Sequence, residues 1–241
     1  MEKAEAITLD EARELVGDAA LWPRMRDFLW DFAPQVHESW IGGLAVRWLG
    51  SEGSAQSQDN AAAQLLNYLT ASSPRVKAYI LSSLGVEPFF HDFPKDDWSR
   101  LALLDGAALL EIAKWLGALA CADELRRVTN GATVRELKTA LRGVYPEVFG
   151  FTAYFGELKA EKLKVESLTS ESVVMIGMNM LLSMLPENPS LLFRLKLKLP
   201  KTLAEKLSTF NVQTLNIKLP SAKLRLLLKL RYPEAYSLCC S

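Results

Sequence analysis

Gly106-Ala-Ala-Leu-Leu-Glu-Ile-Ala-Lys-Trp-Leu-Gly-Ala-Leu-Ala120 carries charge only at Glu111 and Lys114. Leu109, Leu110, Ile112, Ala113, Leu116 and Leu119 surround the axis of any helix formed here, so the helix is apolar nearly all round and belongs at the centre of a core. Asp105, just before it, suits the position whose side chain accepts from the free amides of a first turn. The spacing predicts a helix over 106–120 and a mainly α fold.

The same periodicity predicts helices at 22–32, 60–71, 74–84, 146–156, 170–185 and 221–230. Pro74 and Pro146 suit a first helical turn, where a missing amide costs little. Thr8-Leu-Asp-Glu11, Thr133-Val-Arg-Glu136 and Thr202-Leu-Ala-Glu205 each read as a hydroxyl and a glutamate satisfying the amides of a helix start. Residues 193–199 and 214–219 instead alternate apolar and polar side chains, the pattern of half-buried strands, and each run ends in Lys-Leu-Pro. The expected architecture is a compact multi-helix single domain over 1–241 with a short β pair near the C-terminus. Gly50 to Asn60, rich in small polar residues, is the one linker-like stretch and marks a loop or sub-domain break.

With 241 residues, 49% apolar and 23% charged, the chain has the makeup of a folded globular protein rather than a disordered one. Three cysteines, two of them adjacent at Cys239 and Cys240, cannot build a disulfide framework and fit a reducing compartment. The acidic N-terminus lacks the cationic and apolar runs of a secretory signal. The longest apolar run, Val173 to Leu185, is shorter than the roughly 20 residues a spanning helix needs. These features together predict a cytoplasmic protein with no inserted segment.

Residue types that carry chemistry are sparse. His37 and His91 are the only histidines and have no zinc-ligand spacing around them. Cys121 follows the apolar face of a helix, where an inert buried thiol is the usual outcome. No phosphate-cradling glycine motif or nucleophile elbow occurs. Asp96-Asp97 stand before Trp98 at an apparent helix start, where their charge opposes the helix dipole. No catalytic, cofactor-binding or metal residue is expected, and the chain reads as a binding protein.

Charge is distributed unevenly despite a formal net of zero. Residues 190–241 hold ten Lys or Arg against two Glu, net +8, and the remainder carries −8. Lys196, Lys198 and Lys201 are therefore candidate protein-binding residues, and alternation with Leu195, Leu197 and Leu199 puts the first two on the wet face of a strand. A nucleic-acid-binding role for this basic segment is the alternative. Against it, base-stacking aromatics are few: Phe193, Phe210, Tyr232 and Tyr236. Trp22 with Trp30, and Trp40 with Trp48, are spaced eight apart on helical faces and read as core stripes. Met175, Met178, Met180 and Met184 read as core or as an adaptable partner groove.

Glu111-Ile-Ala-Lys-Trp-Leu-Gly-Ala-Leu-Ala-Cys-Ala-Asp-Glu-Leu-Arg-Arg-Val-Thr-Asn-Gly-Ala132 resembles the SctK family (YscK, PscK, MxiK and OrgA types) of type III secretion accessory proteins. The likeness lies in an apolar helix with Leu116 and Gly117 near its middle, the pair Arg126 and Arg127, and a short helix with Leu137 and Leu141. Downstream, Gly177 to Leu185 leads through Pro186 and Pro189 into Arg194-Leu-Lys-Leu-Lys-Leu-Pro200, similar to the family's Arg-Leu-x-Leu-x-Leu-Pro segment. The likeness runs over residues 101–241. The resemblance implies a helical adaptor at the cytoplasmic face of the inner membrane. Such an adaptor links the cytoplasmic domain of the ring protein SctD to the pod protein SctQ, and through it to the stator SctL and the ATPase. Arg126 and Arg127 are then candidate contacts for a partner, or else pair with Asp123 or Glu124 within their own helix.

Overall fold

The structure, a computed structural model, describes residues 21–49, 73–155, 168–209 and 219–240. In chain order these form α1 (Leu21–Trp30), α2 (Glu38–Leu49), α3 (Pro74–Ser83), α4 (Gly106–Ala120), α5 (Ala122–Arg127) and α6 (Gly131–Ala140). They continue with α7 (Val148–Phe155), α8 (Ser170–Leu182), α9 (Pro189–Leu197), α10 (Lys201–Thr209), α11 (Ser221–Arg231) and α12 (Pro233–Cys240). Tight 3₁₀ turns at Ala33–Gln35 and Asp97–Leu103 complete a mostly helical fold. Among the described residues there is no strand; Arg142 and Tyr145 form an isolated bridge. The chain packs as two compact units, residues 1–106 with 187–205 and residues 107–186 with 206–241.

In the first unit α1 buries Leu21, Met25, Phe28 and Leu29, one face of an amphipathic helix. Phe28 meets Phe32, Phe90 and Phe93 edge-to-face at 5.5, 5.7 and 5.7 Å, arrangements that set the positive rim of one ring on the negative face of the next. α9 supplies Leu191, Leu195 and Leu197 to the core, and buries Arg194 with them. Asp96 accepts from the Trp98 amide at the start of the 3₁₀ turn, as its sequence position implied.

In the second unit α4 and α8 touch through their main chains. Gly117 faces the Val173 carbonyl and Gly177 faces the Ala113 carbonyl so closely that a Cβ on either would overlap the opposing oxygen. Around this crossing Ile112, Leu116, Val173, Ile176 and Met178 are buried. α8 begins with a true capping box: Thr169 accepts from the Ser172 amide, and Ser172 accepts from that of Thr169.

Several expectations are corrected. Residues 193–197 are helical and 198–199 turn out of the helix, with no strand: Asn188 caps the start by accepting from Leu191 N, and Pro189 follows as first residue. The alternation misled because Lys198 turns inward along with the leucines. The paired run, 214–219, lies outside the described residues except Leu219, which is in no strand. The box at Thr133 is displaced by Asn130, whose side-chain carbonyl accepts from Ala132 and Thr133, leaving Thr133 inside α6. Thr202 likewise sits inside α10. Pro146 precedes α7 rather than opening it. The Trp22 and Trp30 rings do share a face, 5.6 Å apart, but Trp30 is exposed and Trp22 half-buried, so the pair is no core stripe. By contrast Met175, Met178 and Met180 are buried, in line with the core reading, and Met184 is half-buried. Thr8 to Glu11, the linker at 50–60, the helix expected at 60–71 and the Trp48 side chain lie outside the described residues.

Gly117→Ala and Gly177→Ala are expected to destabilise the chain by about 3 kcal/mol each, the upper range for overpacking, because neither neighbour is a side chain that can swing away. Gly42→Ala, in α2 with nothing within 4 Å of its added carbon, should gain about 0.5–1 kcal/mol. Urea denaturation midpoints of the three variants check both signs.

Candidate protein-binding surface

α5 is a single short turn-and-a-half with Asp123 and Glu124 in its first turn and Arg126 and Arg127 in its last, charges that complement the helix dipole at both ends. Arg126 Nη1 donates to Asp123 Oδ1 at 3.0 Å and Nη2 donates to Thr152 Oγ1 at 2.8 Å. Its guanidinium also lies over the Phe149 ring at 5.4 Å, so the arginine ties α5 to α7. Both ends of the Arg126–Asp123 pair are about half exposed, a setting in which an ion pair contributes little to stability. Arg127 is exposed beside it. Sequence reasoning left open whether these arginines pair locally or face outward; Arg126 does both.

The three candidate lysines separate. Lys196 is half-buried on α9. Lys201 is exposed, its ammonium over the Trp40 ring at 5.6 Å and 4.0 Å from Glu205. The main chain around it is pinned: Trp40 Nε1 donates to Leu199 O at 2.9 Å, His37 N to Leu197 O at 2.8 Å, and Lys201 N to Ser39 Oγ at 2.8 Å. The first two bonds satisfy carbonyls at and just past the end of α9 that the helix itself leaves open, and the third satisfies the Lys201 amide.

Lys198 is 2% exposed, which corrects its place on a wet face. Its Nζ donates to Ala102 O at 2.6 Å and to Leu104 O at 2.9 Å, and it faces the Phe28 ring at 4.9 Å. Burial pushes its pKa down to about 7; Asp105 opposes the shift, and Arg24 and Arg194 add to it. A charge so enclosed offers nothing to a partner. Arg194, one turn earlier, is equally buried and donates to Phe28 O at 2.7 Å and Glu87 O. Further along, Lys206 pairs with Glu171, and Arg231 pairs with Glu147 while its guanidinium lies 4.5 Å from the Trp115 and Phe151 rings. Four of the ten tail cations are thus spent internally.

Sequence reasoning missed Phe89 and Phe193, two exposed phenyl rings beside a cavity in the first unit. The signal was Phe89-Phe90 in a segment rich in Pro and Gly: along extended chain, adjacent side chains point to opposite sides, so only one can be buried. Phe90 is the buried one.

No described helix is long and apolar enough to cross a membrane, and no three described His, Cys, Asp or Glu side chains gather as a metal site. Burial, aided by Glu124, pushes the Cys121 thiol up to about 12, far from the thiolate a nucleophile requires. The class these features define is a mostly helical protein. Its family is known: the model for YOP proteins translocation protein K (YscK) matches residues 55–239, well over half the chain, and the chain belongs to that family, a type III secretion protein of the SctK/YscK type. The match starts upstream of Leu101, so it reaches into the part where the sequence alone showed no firm likeness. No curated protein and no solved structure matches the chain.

Stability should rise with pH through Lys198. The folded pKa of about 7 lies below the ordinary 10.5, so between these values the unfolded chain binds the extra proton and folding gains as pH rises. Below pH 7 both states are protonated and the burial cost is present in full. A neutral amine still has two N–H donors, enough for Ala102 O and Leu104 O. Wild type minus Lys198→Met, measured by urea denaturation, should show a slope on the order of 1 kcal/mol per pH unit between pH 7.5 and 9.5. A flat difference would show that the ammonium stays charged in the core.

Proposed function

We propose that this chain is a non-enzymatic adaptor of the type III secretion sorting platform, joining the cytoplasmic domain of the inner-membrane ring protein SctD to the pod protein SctQ. Through SctQ it would reach SctL and the ATPase, and it would work at the cytoplasmic face of the inner membrane without inserting. Membership of the YscK family over residues 55–239 carries this reading. An adaptor needs a stable shape and exposed contact groups rather than a reactive centre. The chain supports this with two compact helical units and with Arg126, Arg127 and Lys201 at the surface.

The nucleic-acid alternative loses its main support in the tail. Arg194 and Lys198 are buried, and Lys206 and Arg231 are neutralised by Glu171 and Glu147 from outside the tail. That leaves six of the ten tail cations, Lys201 beside Glu205 among them, a reduced set with which to replace the counterions of a phosphate backbone.

The purified chain is expected to retain SctD cytoplasmic domain and SctQ in pull-down, and retention of neither refutes the adaptor role. Reversing both charges in Arg126→Glu/Arg127→Glu should weaken one of the two interactions about ten-fold while lowering stability by no more than about 1 kcal/mol, as for an exposed ion pair. A large drop in melting temperature would instead assign Arg126 to holding α5 on α7. Gel shift with duplex DNA at low salt should give no complex.

A further inference from the structure

In the first unit a cavity of about 220 Å³ opens between the segment following α3 and the first turns of α9. Glu87, Phe89, His91 and Asp92 line it from one side, and Phe193 and Arg194 from the other. Phe89 and Phe193 are 52% and 42% exposed, although rings of this size are normally withdrawn from water. The Phe89 and His91 rings are 6.2 Å apart.

The walls are fixed in advance. Gly85 turns the chain with φ 69, a left-handed conformation that L side chains resist, and Val86 N donates back to Leu81 O at 2.8 Å. Phe90 N donates to Leu29 O at 3.0 Å, and Asn188 Nδ2 donates to Asp92 O at 2.9 Å, joining the segment to the start of α9. Arg194 holds the Glu87 carbonyl from below. Little conformational freedom remains to be lost when something binds, which is how preorganisation raises affinity.

Charge selects the occupant. The Glu87 and Asp92 side chains are exposed at the mouth, and Glu87 acts on the buried Arg194 through charge without closing a salt bridge. The one opposing cation is Arg194, sunk in the floor against the Phe32 and Phe90 rings at 5.0 Å each. Two carboxylates, Glu87 and Asp92, stand against one guanidinium among the residues that line the mouth. Exposed phenyl faces attract a cation through the ring quadrupole, and its aliphatic stem covers apolar area at the same time. The buried Arg194 keeps a second cation at the rim.

We propose that this cavity is a docking socket for a basic side chain, arginine or lysine, presented by a segment of a partner protein. It lies apart from Arg126 and Arg127 in the sequence and does not depend on which proteins the adaptor joins. A site of this kind reads a positively charged partner, as the −8 carried by residues 1–189 would favour.

The test uses the full chain and a short dye-labelled peptide of leucine, serine and arginine, with a second peptide in which each arginine is glutamate. Fluorescence anisotropy should show the arginine peptide binding at least about ten-fold more tightly than its acidic counterpart, a ratio that shrinks with salt. Phe89→Ser/Phe193→Ser, which removes only exposed rings, should cost about ten-fold with the helical circular dichroism unchanged. Glu87→Arg/Asp92→Arg should invert the preference between the two peptides. Equal binding of both peptides, absence of binding, or binding that ignores these four substitutions overturns the socket. Because no secretion component is used, failure here leaves the pull-down with SctD and SctQ as an independent test of the adaptor role.

Discussion

Two helices whose main chains touch make the second unit what it is. Side chains normally hold helix axes 8–10 Å apart, and only glycine permits a closer approach. Gly117 on α4 and Gly177 on α8 remove the spacer from both sides at one crossing, so each backbone packs against the carbonyl of the other. The flanking residues, Ala113 and Val173 among them, are fixed by this contact to within the tolerance of close-packed atoms. α4 is buried over most of Leu109 to Ala120, with Leu110, Glu111 and Lys114 partly open to solvent, and α8 is likewise mostly buried from Val173 to Leu181.

The first unit is organised by the opposite kind of constraint. Arg194 and Lys198 stand four residues apart on one face of the α9 segment and enter a cluster of phenylalanines. Removing a cation from water costs several kcal/mol unless its donors are satisfied. Here they are met by main-chain carbonyls of Phe28, Glu87, Ala102 and Leu104 and by the faces of Phe28, Phe32 and Phe90. Those carbonyls belong to segments that end helices or turn, where no helical partner is available. The two cations therefore fasten irregular chain to a helix, and the segment around Glu87 is rigid as a result.

How much of this was legible follows from which rule each residue obeys. α4 could be read at its true ends because a long apolar stretch beginning after Asp105 has no other stable use. The family likeness around Gly117 and Arg126 was legible too, but not the reason for it, since a glycine in a sequence does not reveal the carbonyl it makes room for. The strand expected at 193–199 failed at Lys198: period-two alternation presumes that lysine faces water, and here it faces Phe28. Asn188-Pro189 was the better signal, an N-cap followed by a residue preset for a first turn. The supposed boxes at Thr133 and Thr202 failed because a hydroxyl three residues before glutamate also occurs inside helices. Of the five candidate contact residues, composition could not separate the buried Lys198 from the exposed Lys201, because burial of a cation depends on carbonyls contributed from distant sequence.

The formal +8 of the tail shows why counted charge and available charge differ. Arg194 and Lys198 sit in a core where they act as hydrogen-bond donors, and Lys206 and Arg231 are matched by carboxylates from α8 and from the residue just before α7. What the described surface presents is a set of local features: Arg126 beside Arg127, Lys201 stacked on Trp40, and the acidic aromatic mouth at Phe89 and Phe193. A uniform field attracts any opposite charge at long range, and salt weakens it over about 10 Å at 0.1 M. Discrete groups held by packed helices discriminate by geometry instead, the property that the adaptor role proposed above would require.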